Sequence, residues 1–211
     1  MLEIVPFTLG PVMTNAYLIA DPESGEAVVI DPADEGEVIV AEAQRRDWHI
    51  GSIWLTHAHF DHLAGAGSVA DLVNPPPPVA LHPEDYPLWR MQGGAPLFGL
   101  QIDPGPEPTI DLYDGQTAHI GSNQFQVYHA PGHTKGHVIF YCKAEKVVFC
   151  GDVIFQGSIG RTDLPGGDYQ TLINSIQTKI LSLPDDTRLL SGHGPETTVG
   201  RERKWNPFLI N

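Results

Sequence analysis

The sequence predicts an α+β chain in which two β-sheets pack face to face with helices outside. Two β-rich stretches, the first fifty residues and a run beginning at Thr109, each pass into helical patterning. No fixed-period repeat, coiled coil or interdomain linker interrupts the 211 residues, so 1–211 reads as a single domain. Pro 19 and Gly 22 together make about a fifth of the chain, a level that signals many turns on an ordered scaffold.

In order along the chain, Leu2–Leu9, Ala16–Asp21 and Ala27–Asp31 read as strands, separated by turn chemistry such as Asp21-Pro22-Glu23-Ser24-Gly25. Gly36–Arg46 sets Val38, Ile39, Ala41 and Ala43 against Glu37, Glu42, Gln44 and Arg45, an amphipathic helix. Ile50–Thr56 is a buried strand running straight into His57. A second helix covers Leu63–Val73 and stops at Asn74 and Pro75–Pro78; Val79–His82 restarts a strand. Residues 83–108 carry Gly93-Gly94, Pro96 and Asp103-Pro104-Gly105-Pro106. They read as a short helix and a long loop, a surface insertion in preference to a lid or pocket wall. Strands return at Thr109–Tyr113, Thr117–Ile120, Gln124–His129, His137–Cys142 and Lys146–Cys150. Tyr169–Leu183 places Leu172, Ile173, Ile176, Ile180 and Leu183 at helical spacing; Arg188–Ser191 is a last strand and a short helix lies near Val199–Trp205.

Composition narrows the function classes. Lys plus Arg is 12 against 26 Asp plus Glu, a formal charge of −14, which repels a phosphate backbone and anionic lipid. Nucleic acid and membrane surfaces are therefore not expected partners. No apolar run reaches about 18 residues, and Met1–Pro6 has neither a basic region nor a long apolar stretch, so a cytoplasmic location is expected. Cys142 and Cys150 make no disulfide framework and read as packing residues in apolar strands.

Ten histidines stand out, and five fall into one pattern. Thr56-His57-Ala58-His59-Phe60-Asp61-His62 packs three neutral nitrogen donors and a carboxylate into six positions, a donor set suited to zinc and similar divalent metals. His57 and His59, at i and i+2 of extended backbone, share a side; Asp61 and His62 lie past the bend. Downstream, Gly132-His133, Gly151-Asp152 and Gly192-His193 each offer a donor behind a glycine that permits close approach. The count closes as His57, His59 and His133 for one ion, Asp61, His62 and His193 for a second, and Asp152 between them, with room for water. His49 and His119 read as surface residues, His82 as structural, and His129 and His137 as hydrogen-bonding neighbours of the ligands. Arg161 and Asp163 read both as an ion pair pinning a Gly-rich loop and as a pocket-mouth guanidinium for a substrate carboxylate. Lys135, Tyr141 and Tyr169 are further pocket candidates.

These motifs resemble the metallo-β-lactamase superfamily over nearly the whole length, with none of the seven ligand positions substituted. Within it, Gly157-Ser158-Ile159-Gly160-Arg161-Thr162-Asp163-Leu164-Pro165-Gly166-Gly167-Asp168 is similar to the segment of small glyoxalase II-like hydroxyacylglutathione hydrolases. The resemblance implies a four-layer αβ/βα sandwich of two mixed sheets with a dinuclear centre at one edge. It also implies hydrolysis of a small-molecule thioester, S-lactoylglutathione or a related acyl-glutathione, by hydroxide held between two divalent ions. Asp61 and Asp152 would be the catalytic carboxylates, and Arg161, Lys135 and Tyr141 the substrate contacts. Zinc is the expected metal, and iron or manganese also suits these ligands. The chain ends 18 residues after His193, without the helical domain that holds glutathione in full-length glyoxalase II, so glutathione recognition is expected to be built otherwise, to be weak or to be absent. Two rival readings are a mononuclear-iron persulfide dioxygenase, which resembles this chain in its histidines and its Gly-Arg-Thr-Asp segment, and a non-catalytic metal-binding module. The Leu164–Asp168 continuation favours the hydrolase, and the intact ligand set disfavours the module. β-Lactam hydrolysis ranks lower for want of an export signal, and His59 stands where flavo-diiron relatives use a carboxylate.

Overall fold

A computed structural model describes residues 2–210. The first sheet holds β1 (Glu3–Leu9), β2 (Thr14–Asp21), β3 (Glu26–Ile30), β4 (His49–Trp54), β5 (Val79–Leu81) and β6 (Ile110–Asp111) in sequence order. Its β1–β3 are antiparallel, and β3–β6 are parallel. The second sheet is built from β7 (Thr117–Ile120), β8 (Asn123–His129), β9 (Val138–Cys142), β10 (Val147–Gly151), β13 (Arg188–Ser191) and β14 (Thr197–Thr198). Between β10 and β13 the chain makes a small ribbon, β11 (Ile154–Phe155) with β12 (Ser158–Ile159), which the sequence pattern does not reveal.

Alternation along the strands explains the layering, because successive side chains face opposite sides of a sheet. On β2, Tyr17 and Ile19 join the apolar layer between the sheets, whereas Leu18 and Ala20 face outward to the helices. On β9, Val138 and Phe140 face inward while Ile139 and Tyr141 face the other helical layer. Both faces are apolar, so each sheet is covered on both sides. The helices α1 (Gly36–Arg45) and α3 (Ala66–Leu72) cover the first sheet through Ile39, Val40 and Val69. The second is covered by α5 (Tyr169–Ser175) and α6 (Val199–Trp205), through Leu172 and Val199, and by the turns following α5, through Ile176 and Ile180. This is the mixed two-sheet α+β sandwich expected from the sequence.

Three boundaries differ from the sequence pattern. The helix expected over Leu63–Val73 is two pieces, α2 (Phe60–Leu63) and α3. The break sits at Gly65, whose N–H donates to the Ala33 carbonyl (2.7 Å), drawn from the first sheet's edge, instead of to a carbonyl of its own helix. The helix beginning at Tyr169 is capped by the Asp168 carboxylate, which accepts the Thr171 N–H. It widens into a π-turn over Ile176–Ile180 and ends short of Leu183. Residues 83–108 are more ordered than a loop: a 3₁₀ turn Pro83–Asp85, α4 (Tyr86–Arg90), and a 3₁₀ stretch Gln92–Phe98 bent where Gly93 and Gly94 take positive φ. A side chain at Gly93 would run into the Phe60 backbone, so this segment lies directly on α2. No helix among the described residues is long and apolar enough to cross a membrane.

Candidate metal centre

Topology gathers the donors at one edge. β8, β10 and β13 run in the same direction, so their carboxyl ends deliver His133, Asp152 and His193 to the same place. From the facing sheet, β4 runs out through Thr56 and His57 in extended backbone to His59, and α2 then presents Asp61 and His62. Backbone hydrogen bonds stitch the two contributions together: Asn15 N–H donates to the Gly192 carbonyl (2.7 Å), and Val138 N–H to the Thr56 carbonyl (2.8 Å).

Within this edge the donor atoms of His57, His59 and His133 lie within 4.8 Å of one another, as do those of Asp61, His62 and His193. His59 Nδ1 stands 2.8 Å from His133 Nε2. Asp152 sits between the two groups, with Oδ1 3.4 Å from His62 Nε2 and Oδ2 3.5 Å from His133 Nε2 and 3.6 Å from His193 Nε2. A third grouping, Asp31 with His57 and His62, also falls within 4.8 Å, but the Asp31 oxygens are committed elsewhere.

Hydrogen bonds fix which ring nitrogen faces inward. Asp31 accepts from His62 Nδ1 (2.9 Å) and from the Thr56 N–H and hydroxyl. His57 Nδ1 lies 3.0 Å from that hydroxyl, and His133 Nδ1 donates to the Arg161 carbonyl (2.7 Å). Each contact occupies the outer nitrogen and leaves Nε2 turned to the centre, as metal-ligating histidines require. Thr14 donates to Asp61 Oδ2 (2.9 Å). His137, buried and stacked on His57 with ring centroids 4.7 Å apart, accepts the Asp152 N–H through Nε2 (3.0 Å) and so holds that loop.

The donor set passes a direct test of fit to a cation. His57 Nε2, His62 Nε2 and Asp152 Oδ1 are buried and have no hydrogen-bond partner in the protein. Orphaned buried polar atoms are costly and rare, and these converge on one volume, where His57 Nε2 and Asp152 Oδ1 offer lone pairs and His62 Nε2 offers one once its proton is displaced. Burial, reinforced by the neighbouring His62, holds His57 well below the ordinary histidine range, and burial with His133 pushes His59 down to about 3, so both are neutral donors. Burial also opposes a charge on His62, but Asp152, Asp61 and Asp31 outweigh it and hold this ring well above its usual value. The Asp61 and Asp152 carboxyls are held below their ordinary range, because the facing His62 overcomes the burial that would raise them.

A Cβ at Gly192 would collide with Asp152 Oδ1 and lie 2.5 Å from His62 Cε1. Gly192→Ala is therefore expected to displace both donors and lower bound metal by at least about tenfold in affinity, read by competition with a chromogenic chelator.

Asp85 is a support that the sequence pattern did not single out. Its buried carboxylate accepts the Ala58 N–H (3.0 Å), the Thr134 hydroxyl (2.7 Å) and the Gly136 N–H (2.7 Å), tying the His57–His59 run to the His133 loop. Asp85→Ala strands these donors and is expected to cost about 3 kcal/mol. That lowers the melting temperature by about 6–12 °C in a chain of this size, measurable by calorimetry.

A cleft of about 570 Å³ opens beside His59. Leu88, Met91, Leu97, Phe98 and Leu164–Gly166 line it, together with Thr134 and Lys135. Residues of the 84–98 stretch thus form a pocket wall where the sequence suggested a surface insertion. Lys135 lines this cleft. The Arg161 guanidinium is held by both oxygens of Asp163 (2.7 Å each), the ion pair expected from the sequence, and only its carbonyl meets the donor set. Tyr141 does not reach the cleft, because β9 turns it into the layer under α5, near Tyr128. Tyr169 is exposed at the start of α5.

Residues 9–193 match the family described as the metallo-beta-lactamase superfamily. The chain is 37% identical to the hydroxyacylglutathione hydrolase GloC of Haemophilus influenzae, over 99% of this chain and 97% of that protein. Among solved structures it is similar to the BLEG-1 B3 metallo-beta-lactamase (TM-score 0.91, 40% identity, 100% of both chains). It is also similar to TTHA1623 in a di-iron-bound form (TM-score 0.86, 46% identity, 97% of this chain and 100% of that one). Family match, sandwich and clustered His/Asp donors agree: the chain belongs to the metallo-β-lactamase superfamily.

Proposed function

We propose that this protein is a metallo-hydrolase that cleaves a thioester, S-lactoylglutathione or a related acyl-glutathione. The observation that carries the reading is the pair of donor groups joined by Asp152 beside an open cleft. His57, His59 and His133 would hold one divalent ion and Asp61, His62 and His193 a second, with Asp152 reaching both. Two such ions supply Lewis acidity that acidifies water towards neutral pH and polarises a carbonyl oxygen. Asp61, steadied by the Thr14 hydroxyl, orients the attacking water. The water oxygen bonds to the acyl carbon, the C–S bond breaks, and the departing thiolate takes up a proton. Lys135 lines the cleft and is the cation available to the substrate there. Arg161 serves chiefly through its carbonyl, which sets the His133 ring. The 37% identity to GloC supports the substrate class. Zinc is the proposed metal, and the di-iron form of TTHA1623 makes iron the alternative. The substrate is a small molecule; the charge of −14 disfavours nucleic acid.

A second reading, opening of a β-lactam ring, is favoured by the 40% identity to BLEG-1. The deciding experiment measures metal content and turnover of S-lactoylglutathione, with a chromogenic cephalosporin and oxygen uptake on glutathione persulfide in parallel. About two metals per chain with thioester cleavage is the expected result. Cephalosporin turnover alone, or one iron with oxygen consumption, overturns it.

A further inference from the structure

We infer that the cleft beside His59 receives the acyl half of the substrate, and that this half is an apolar chain or ring larger than lactoyl. The inference rests on the thioester reading above and specifies its substrate. His59 belongs to the donor set and also lines the cleft, so a substituent on a carbonyl carbon reacting at the centre has a direct path into it. Most of the lining is apolar: Leu88, Met91, Leu97, Phe98, Leu164 and Pro165. Met91, Leu97 and Phe98 are each half or more exposed, at 57%, 59% and 50%, a row of large apolar side chains left to water. Exposed apolar surface continuous with a reactive centre is the mark of a ligand groove.

Charge decides which half of the thioester enters. The charged groups on the cleft are Glu84, Lys135 and Asp85, and Asp85 spends both oxygens on the Ala58, Thr134 and Gly136 hydrogen bonds. One cation and one anion on an apolar wall cannot pair the carboxylates and ammonium of a glutathione moiety, and leaving such charges unpaired in a groove is costly. The acyl half can be wholly apolar. Size points the same way, since about 570 Å³ takes a drug-sized ligand and a lactoyl group fills only a small part of it. Most of the apolar wall comes from the Tyr86–Phe98 segment, so acyl specificity resides chiefly there and not in the metal ligands.

The test uses the metal-loaded enzyme and S-acetyl-, S-butanoyl- and S-hexanoylglutathione. Expected is a rise in kcat/KM of about two- to fourfold per added methylene, the upper figure matching the ~0.8 kcal/mol of one buried CH₂. Phe98→Ser and Leu97→Ser, on exposed wall positions, are expected to flatten this slope, lowering the hexanoyl-to-acetyl ratio at least about fivefold. A wild-type series that is flat or falls with chain length, or a slope unchanged in both variants, overturns the acyl-cleft assignment while the thioester reading stands. Failure to cleave any of the three while S-lactoylglutathione is cleaved also overturns the acyl-cleft assignment, and failure on all four overturns the thioester reading itself.

Discussion

Asp152→Asn is expected to lower hydrolysis on the order of 10³-fold or more while the protein remains folded. The residue is buried at the end of β10 and lies between the two donor groups, and its Oδ1 makes no hydrogen bond to the protein. Replacing that oxygen breaks no close hydrogen bond, and the backbone hydrogen bond from the Asp152 N–H to His137 is untouched. What disappears is the negative charge shared by both groups, and an amide neither bridges two cations nor offsets their charge. Circular dichroism close to that of the parent, with reduced metal per chain and turnover near background, is the expected combination. A folded variant that retains parental turnover would remove Asp152 from the mechanism.

The second large effect comes from stripping metal. In the metal-free state buried atoms of the donor set lack close partners, and Asp31, Asp61 and Asp152 crowd around His62, whose proton moderates their repulsion. Binding adds stability in proportion to the logarithm of ion concentration over dissociation constant, about 4 kcal/mol at a thousandfold excess. Exhaustive chelation should then lower the melting temperature by about 8–16 °C at pH 7, and restoring a divalent ion should recover it. The loss should carry a pH signature. Because His62 is held protonated, metal capture must displace its proton, so affinity falls as pH is lowered and the chelation effect shrinks in acid. Differential scanning calorimetry with and without chelator at pH 5.5 and 7.5 measures both quantities; equal melting temperatures at pH 7.5 would contradict them.

Much of this was legible in the sequence because the informative signals are local. The apolar β-runs Ala16–Asp21 and His137–Cys142, and the dense run His57–His62, need no knowledge of what lies across the molecule. Glycines at 132, 151 and 192 marked close approach: a Cβ at 192 would strike the donor Asp152, and one at 151 would strike Thr56 and His137, which support the donors. What stayed hidden depends on partners far apart in the chain. Asp31 is one more acidic residue at a strand end until Thr56 and His62 are placed against it. Asp85 likewise gains meaning only when Ala58 and Gly136 converge on it. The break at Gly65 follows from a carbonyl supplied by Ala33. Tyr141 was misplaced because alternation says which residues share a face, but not which face looks towards the donors. The wall within 83–108 was missed because Gly93 and Gly94, read as loop punctuation, instead bend a segment that packs on α2.

His57, His59, Asp61 and His62 come from one sheet, and His133, Asp152 and His193 come from the other, so each ion would be shared by segments 70 or more residues apart in the chain. The centre is thus a clasp that cannot close until both sheets have formed and docked. During refolding the ions would arrive after the rate-limiting assembly and leave the speed of folding nearly unchanged. Their effect would fall on the reverse step, since separating the sheets means tearing the clasp. A protein made this way is guarded less by how quickly it forms than by how slowly it comes apart, and metal scarcity would shorten its lifetime before it emptied the folded population.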